Sequence, residues 1–412
     1  MSNSINRNHH KATSIWVLFC FILFSCNHKT SETSSIEPPP KKLPSINIQN
    51  KNGIEWKTKK RCSLVYKDSL EIRLIGRIKY RGGISTKYEK RSYSLELEDP
   101  YKLGGITLDD DWIINASYVD KTFMRHKMSY DLFKEMASNN IAAKCSYIEL
   151  SVDNNYQGLY ILMEEVNASM LGIDKTDSEG MLFKGPPIFH DEGRKIIHDS
   201  LNYYQQKYPK INVSSKTDRI NSFKNFLFNS SNEVFVEEIS TWIDLENIMD
   251  WHILLLFSNN GDGLLKNFYL YKLNSQTPFR IAIWDYDHSF GRDGDNEYNM
   301  MDRPIECDRA ILLDRLMSIK ETNYSNKIKN RWFELRKKNI ISVENIEKHI
   351  KANDANIQLG IEANFERWPV DSDWYFDDNG YDQEVEIIRQ FVKHRIPQLD
   401  EYFNQLETTS IP

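Results

Sequence analysis

Between about residues 54 and 185, apolar side chains fall at every second position, the period of a half-buried strand. Residues 70–75 read Leu-Glu-Ile-Arg-Leu-Ile, and residues 93–97 read Tyr-Ser-Leu-Glu-Leu. The pattern returns at 147–152 and 158–163, on either side of Asp153-Asn154-Asn155. That tripeptide suits a hairpin turn because Asn and Asp tolerate positive φ. One helix is predicted inside this stretch, over 121–137, with Phe123, Met128, Leu132, Phe133 and Met136 facing inward.

Beyond residue 215 the period lengthens to that of helices. Helices are predicted over 221–228, 234–242 and 245–257, the last with Asp244 as its N-cap. A short strand pair at 268–272 and 279–284 precedes helices over 311–319, 325–336, 343–366 and 383–406. The chain therefore reads as an α+β protein of two lobes, sheet-rich over about 50–185 and helical over about 215–406. A polar, aperiodic excursion over 186–214 joins them. Trp112 and Trp251 read as core packing, His252 as an interior histidine, and the charges of 384–395 as a solvated helix face.

Composition changes this picture little. With 40% hydrophobic residues and 12% aromatic, the chain can bury a large core and is not of disordered composition. A formal charge of −6 and the lack of a basic tract exclude a nucleic-acid binder as the first reading. Cys62, Cys145 and Cys307 lack metal-ligand spacing and read as buried thiols.

The N-terminus carries an address. Arg7 and Lys11 precede ten apolar residues, 15–24, and then Ser25-Cys26. Such a run is too short for a bilayer, which needs about 20 residues, and its basic start and small residue before the cut describe a secretory signal peptide. The segment resembles a lipobox, with 1–25 removed and Cys26 lipidated. Residues 26–49, with Pro38-Pro39-Pro40, read as a spacer that holds the domain off a membrane, on the periplasmic or cell-surface side.

Candidate chemistry is densest between Asn259 and Asp293. Asp262 and Asn267 stand in D-x-x-x-x-N spacing, a strand pair follows, and Asp285 and Asp287 then lead into a Phe290-Gly291 turn. This is the order of a kinase catalytic loop and metal-binding turn. Phosphoryl transfer needs a carboxylate for the acceptor proton and hard oxygen ligands for Mg²⁺, which Asp and Asn supply. Asp285, Asp287, Asp293 and Asp295 are also clustered enough for calcium, although the EF-hand spacing is absent.

Six blocks in order carry a resemblance to the CotH family of atypical kinases, covering most of 70–405. They are Arg81-Gly82-Gly83 with Ser85 and Lys90-Arg91-Ser92-Tyr93; Asp111-Trp112 with Asp120 and Met124-Arg125; and Tyr156-Gln157-Gly158-Leu159-Tyr160 with Glu164. The others are Gly180-Met181-Leu182-Phe183-Lys184, residues 262–271, and Trp284-Asp285-Tyr286-Asp287 with Phe290-Gly291. The resemblance implies a bilobal kinase-like domain over about 50–406 and ATP-dependent phosphorylation of Ser or Thr in exported proteins. It implies Asp262 as the catalytic acidic residue, and Asn267 and Asp285, with Asp287 as a second carboxylate, as ligands of Mg²⁺ or Mn²⁺. Arg81, Lys90 and Lys184 would meet the nucleotide phosphates, with Glu164 as ion-pair partner of Lys90 or Lys184. Arg125 is a candidate for either phosphate contact or a structural ion pair. Two other readings stand beside this one: a surface structural or adhesion module that keeps the fold without turnover, and a carbohydrate-directed hydrolase using paired carboxylates.

Overall fold

Alternation along the first half closes a barrel. The computed structural model describes residues 42–190, 202–292, 301–304, 306–370 and 377–406. Strands β1 (Ser45–Gln49), β2 (Lys60–Lys67), β3 (Glu71–Arg81), β4 (Ser92–Tyr101) and β5 (Asp109–Asn115) precede helix α1 (Arg125–Met136). Strands β6 (Cys145–Val152) and β7 (Asn155–Glu164) follow it. The barrel order is β1-β2-β3-β4-β5-β7-β6, closed by parallel pairing of β1 with β6, Ser45 opposite Glu149. Inward positions, among them Ile46, Leu64, Ile78, Leu95, Trp112, Ile148 and Tyr160, fill its interior. The segment read as spacer up to residue 49 therefore contributes Ser45–Gln49 to the barrel, because Ile46 and Ile48 are fully apolar at alternate positions.

A second sheet draws on both halves of the chain. Strands β8 (Met181–Lys184), β9 (Gln206–Tyr208), β10 (Phe268–Lys272) and β11 (Arg280–Ile283) pair in the order β11-β10-β8-β9. Gln206–Tyr208 lies inside the expected excursion 186–214, of which 191–201 fall outside the described residues. The β8–β10 pairing sets Lys184 opposite Tyr269.

Helices α2 (Thr217–Asn229), α3 (Asn232–Trp242), α4 (Leu245–Ser258), the single turn α5 (Asp262–Leu265), α6 (Ile311–Ser318) and α7 (Tyr324–Lys337) continue the chain. Asp244 caps α4 as predicted, accepting from the N–H groups of Glu246 and Asn247. The helix expected over 343–366 is two, α8 (Val343–Ile357) and α9 (Ile361–Arg367), separated at Gly360. Helix α9 packs on β7 because Gly158, at φ +105, leaves room for Asn364: a Cβ there would lie 2.6 Å from Asn364 Oδ1. Helix α10 (Tyr381–Gln405) closes the chain, with Glu384 and Arg395 buried, so its charges are only partly a solvated face.

One continuous core joins α1, the outward side chains Ile113, Ile161 and Met163 of the barrel, the second sheet and the C-terminal helices. Trp112 and Trp251 are core residues, and His252 is interior, its Nδ1 3.3 Å from Tyr324 Oη. Cys62, Cys145 and Cys307 are free thiols that burial raises to about 12, which keeps them unreactive. Among the described residues no helix is long and apolar enough to cross a membrane. Cys26 and residues 1–25, like Asp293 and Asp295, lie outside the described residues.

Candidate functional site

The acidic residues are placed by the end of α4 and the turn after β11. Asn259 adopts a left-handed conformation at the C-terminus of α4 and reverses the chain. Asn260 Oδ1 then accepts from Gly263 N at 2.9 Å and starts the turn α5, whose first residue is Asp262. Backbone N–H groups of Lys266 and Asn267 both donate to Asp262 O, which delivers Asn267 to the start of β10. Asn267 Nδ2 donates to Asp285 O at 3.0 Å, so the D-x-x-x-x-N segment grips the acidic turn directly.

That turn is held in an uncommon backbone shape. Asp285 has φ 62, a left-handed value that costs a non-glycine residue about 1–3 kcal/mol unless its surroundings enforce it. Its N–H donates to Tyr130 Oη at 3.0 Å, and the next N–H, of Tyr286, donates to His126 Nδ1 at 3.1 Å. Phe290, at φ 48, donates from N to Ser258 O at 2.7 Å and buries its ring against Phe257 and Phe391. The consequence is that Asp285 and Asp287, on either side of buried Tyr286, point the same way. Together with His126 they form a cluster whose ligand atoms lie within 4.8 Å of one another. Burial, and then the neighbouring Asp285 carboxylate, raises the Asp287 carboxyl above the usual range.

Facing this cluster is a cleft of about 570 Å³. Its lining includes Arg81 at the end of β3, Lys184 at the end of β8, Asp262, Lys266, Asn267, Trp284, Asp285, Asp287 and His288. Gly82-Gly83, Tyr88 and residues 115–119 also line it, and Tyr88 stacks on Tyr118 at 5.2 Å. The Arg81 guanidinium sits 5.4 Å from the Trp284 ring centre and Lys184 Nζ 5.5 Å from it. Among the described residues neither cation has a carboxylate within ion-pair distance. Burial, and then the neighbouring Arg81 charge, lowers the Lys184 ammonium to about 8. Gly185, at φ +48, allows the end of β8 to approach Lys266: a Cβ there would stand 2.4 Å from its carbonyl oxygen.

Six of the residues singled out in the sequence, Asp262, Asn267, Asp285, Asp287, Arg81 and Lys184, thus share one cleft. Two do not act as expected. Lys90 lines the wall, but its Nζ donates to Ala116 O, Leu159 O and Asn364 Oδ1, and burial drives its ammonium well below the usual value. Glu164 accepts from Lys144 N at 2.7 Å and makes an ion pair with neither Lys90 nor Lys184. The reason is topological: β7 turns Glu164 toward the chain segment before β6, away from the cleft. Arg125 is structural, fully buried between Asp120 and Glu384. Residues that the pattern did not single out are His126 and Tyr130, the i, i+4 pair on α1, and Lys266, whose Nζ is 2.8 Å from Asp262 Oδ2. An i, i+4 His–Tyr pair on a helix was the one local signal available for the first two.

The fold and site define an α+β protein with a cleft in which Arg81 and Lys184, without a carboxylate partner among the described residues, share the lining with Asp285 and Asp287. The CotH kinase protein family matches residues 78–399, and the chain belongs to that family. Inner spore coat protein H of Bacillus subtilis (strain 168) is 24% identical over 334 residues, which cover 80% of this chain and 87% of that protein. The crystal structure of the Helicobacter pylori proinflammatory kinase CtkA aligns with 88% of this chain and 99% of its own, at 10% identity and a TM-score of 0.29.

Proposed function

We propose that this protein transfers the terminal phosphoryl group of ATP to a Ser or Thr hydroxyl of an exported protein, from a lipid-anchored position outside the cytoplasm. The observation that carries the reading is the unpaired Arg81 and Lys184 beside Trp284, opposite Asp285 and Asp287. Buried or half-buried cations without a counter-ion are costly, and a polyphosphate that enters the cleft offsets that cost. Anchoring follows from the signal-like segment ending at Cys26.

In this reading Arg81 and Lys184 hold the phosphates and orient the terminal one. Asn267, Asp285 and Asp287 would hold Mg²⁺ or Mn²⁺, which when bound supplies positive charge to the phosphate oxygens. Asp262 lies in the same cleft and is exposed enough to meet an acceptor. It takes the acceptor hydroxyl proton as the hydroxyl oxygen bonds to the γ-phosphorus and the bond from that phosphorus to the β–γ bridging oxygen breaks, leaving ADP.

The test is incubation with γ-labelled ATP and Mg²⁺ or Mn²⁺, beside Asp262→Asn and Asp285→Ala. Label transferred to an acceptor by the wild type and lost in both variants supports the reading. No transfer, with no nucleotide-dependent rise in Tm, overturns it in favour of a non-catalytic surface module.

A further inference from the structure

We infer that a cavity lined by α4, α6 and α10 docks a protein partner through an extended segment in which apolar side chains are flanked by Lys or Arg. In the reading above that partner is the phosphate acceptor, and the inference rests on that reading for the partner's identity.

The cavity, of about 530 Å³, shares no lining residue with the phosphate cleft. Its buried lining is apolar: Leu256 of α4, Leu313 of α6 and Leu399 of α10, with Met317 half-buried. Its more exposed lining is acidic. Asp302 is bonded to His394, and Glu306 lies 3.9 Å from Arg309. Asp308, Asp314 and Glu401 have no cation within ion-pair distance among the described residues.

Arg395 lines the same cavity, 6% exposed and without a carboxylate within ion-pair distance among the described residues. Its Nε donates to Leu256 O at 2.8 Å, in the last turn of α4, where helix carbonyls lack partners and a cation is favoured. Nη1 reaches Gln398 Oε1 only at 3.5 Å, and Nη2 makes no hydrogen bond among the described residues. Arg315 of α6, 9% exposed, shows the structural alternative in this fold. Its Nη1 donates to Leu227 O and Ser230 Oγ, and its Nη2 to Ser230 O and Ser231 O. Burial lowers the Arg395 guanidinium to about 10, so it stays charged at neutral pH with its Nη2 edge unspent.

A largely buried donor without a partner is costly, and an acceptor that enters the cavity removes that cost. The acceptor is not an anion, because a carboxylate or phosphate on Arg395 would meet the five carboxylates Asp302, Glu306, Asp308, Asp314 and Glu401. A backbone carbonyl avoids that repulsion. An extended peptide supplies such a carbonyl, apolar side chains for Leu313 and Leu399, and cations for the unpaired carboxylates. Leu256 precedes Asp262 by six residues, so the segment is held against the helix that leads into the Asp262 turn.

Fluorescence anisotropy on the full chain tests this with a labelled, capped peptide Gly-Lys-Leu-Lys-Leu-Lys-Gly, which carries no hydroxyl to phosphorylate. The expected result is saturable binding that weakens at least about tenfold in the triple variant Asp308→Asn, Asp314→Asn, Glu401→Gln, and about tenfold in Arg395→Gln. Replacing Leu by Gly or Lys by Glu in the peptide should weaken binding to a similar extent. Neutralising three barrel carboxylates instead, by Glu98→Gln, Asp99→Asn and Asp110→Asn, should leave affinity within about twofold. No binding, tighter binding of the Glu peptide, or an equal loss in both triple variants overturns the inference. If Arg395→Gln does not fold, the carboxylate variants decide. In phosphotransfer to an acceptor that carries the segment, the cavity triple variant should raise KM for the acceptor about tenfold with kcat unchanged. Phosphotransfer by a protein that does not bind the peptide overturns the docking site alone. Peptide binding that depends on the cavity, in a protein that transfers no phosphate, overturns the proposed function and leaves the docking site standing.

Discussion

Arg125 Nε donates to Ser289 O at 2.9 Å, tying the first helix to the turn that carries the acidic pair. The same guanidinium bonds Asp120 Oδ1 at 2.5 Å and reaches Glu384 of α10 at 3.3 Å. Arg292, the residue after Gly291, also bonds Glu384, so the turn is braced at two points by one buried network. Arg125→Met leaves Asp120 and Glu384 with an uncompensated share of buried charge. The expected loss is about 3–5 kcal/mol in urea unfolding, and any folded fraction should bind nucleotide poorly because the Ser289 tether is gone. A loss below about 1 kcal/mol would show that the network does not brace the turn.

Lys184 gives the site a pH dependence. Its ammonium is lowered from 10.5 to about 8, so in the free protein unfolding takes up a proton between those values and stability rises with pH across that window. The functional sign is the reverse: the charged form, proposed above to hold phosphate, is lost as pH rises through about 8. ATP affinity measured by calorimetry should weaken about tenfold between pH 7 and 9, the equivalent of about 1.4 kcal/mol for one charge-assisted contact. In Lys184→Met the affinity should be low and nearly flat with pH.

Asp287 should trade stability for binding. Its folded-state value is raised, so between the ordinary carboxylate value and the raised one the folded protein holds the extra proton and stability falls as pH rises. Asp287→Asn is therefore expected to raise Tm of the metal-free protein by about 1–3 °C at pH 7.5. The gain should shrink as pH falls toward the ordinary carboxylate range. The same variant should lose Mg²⁺ binding, and a drop in Tm at pH 7.5 would contradict the reading of Asp287 as a carboxylate whose charged form is disfavoured by burial and by Asp285.

Lys266 and Asp262 form an i, i+4 pair 2.8 Å long whose side chains are 61% and 43% exposed. Exposed pairs of this kind contribute little to stability, about 0.3–0.5 kcal/mol. Lys266→Ala should leave Tm unchanged within about 1 °C yet lower kcat about tenfold, because Asp262 loses the contact that fixes its direction. Asp262→Asn should lower kcat about 10²- to 10⁴-fold with little change in KM for ATP, as expected for a group that acts on the acceptor proton. Equal kinetics for Asp262→Asn and wild type would remove Asp262 from the mechanism.

Much of this protein was determined by local pattern. Strict alternation named the barrel strands around residues 70–75, 93–97 and 147–163, and Asp244 announced the start of α4 by its capping chemistry. Asp262, Asn267, Asp285 and Asp287 were legible because their spacing is set within short segments of the chain. The closure of the barrel by Ser45–Gln49 was not legible, since five residues after a polar run carry too little periodicity to outweigh their composition. Nor could sequence choose between Lys90 and Lys184. Lys90 is turned into the wall by Asn364, which follows it by 274 residues, whereas Lys184 reaches the cleft because β8 pairs with β10. The same holds for His126: its residue type was visible, but its place behind the acidic turn depends on the N–H of Tyr286, 160 positions away. Spacing along the chain fixes which groups share a turn or a helix face. Only long-range pairing and burial decide which of them keep a free charge and which spend it inside the protein.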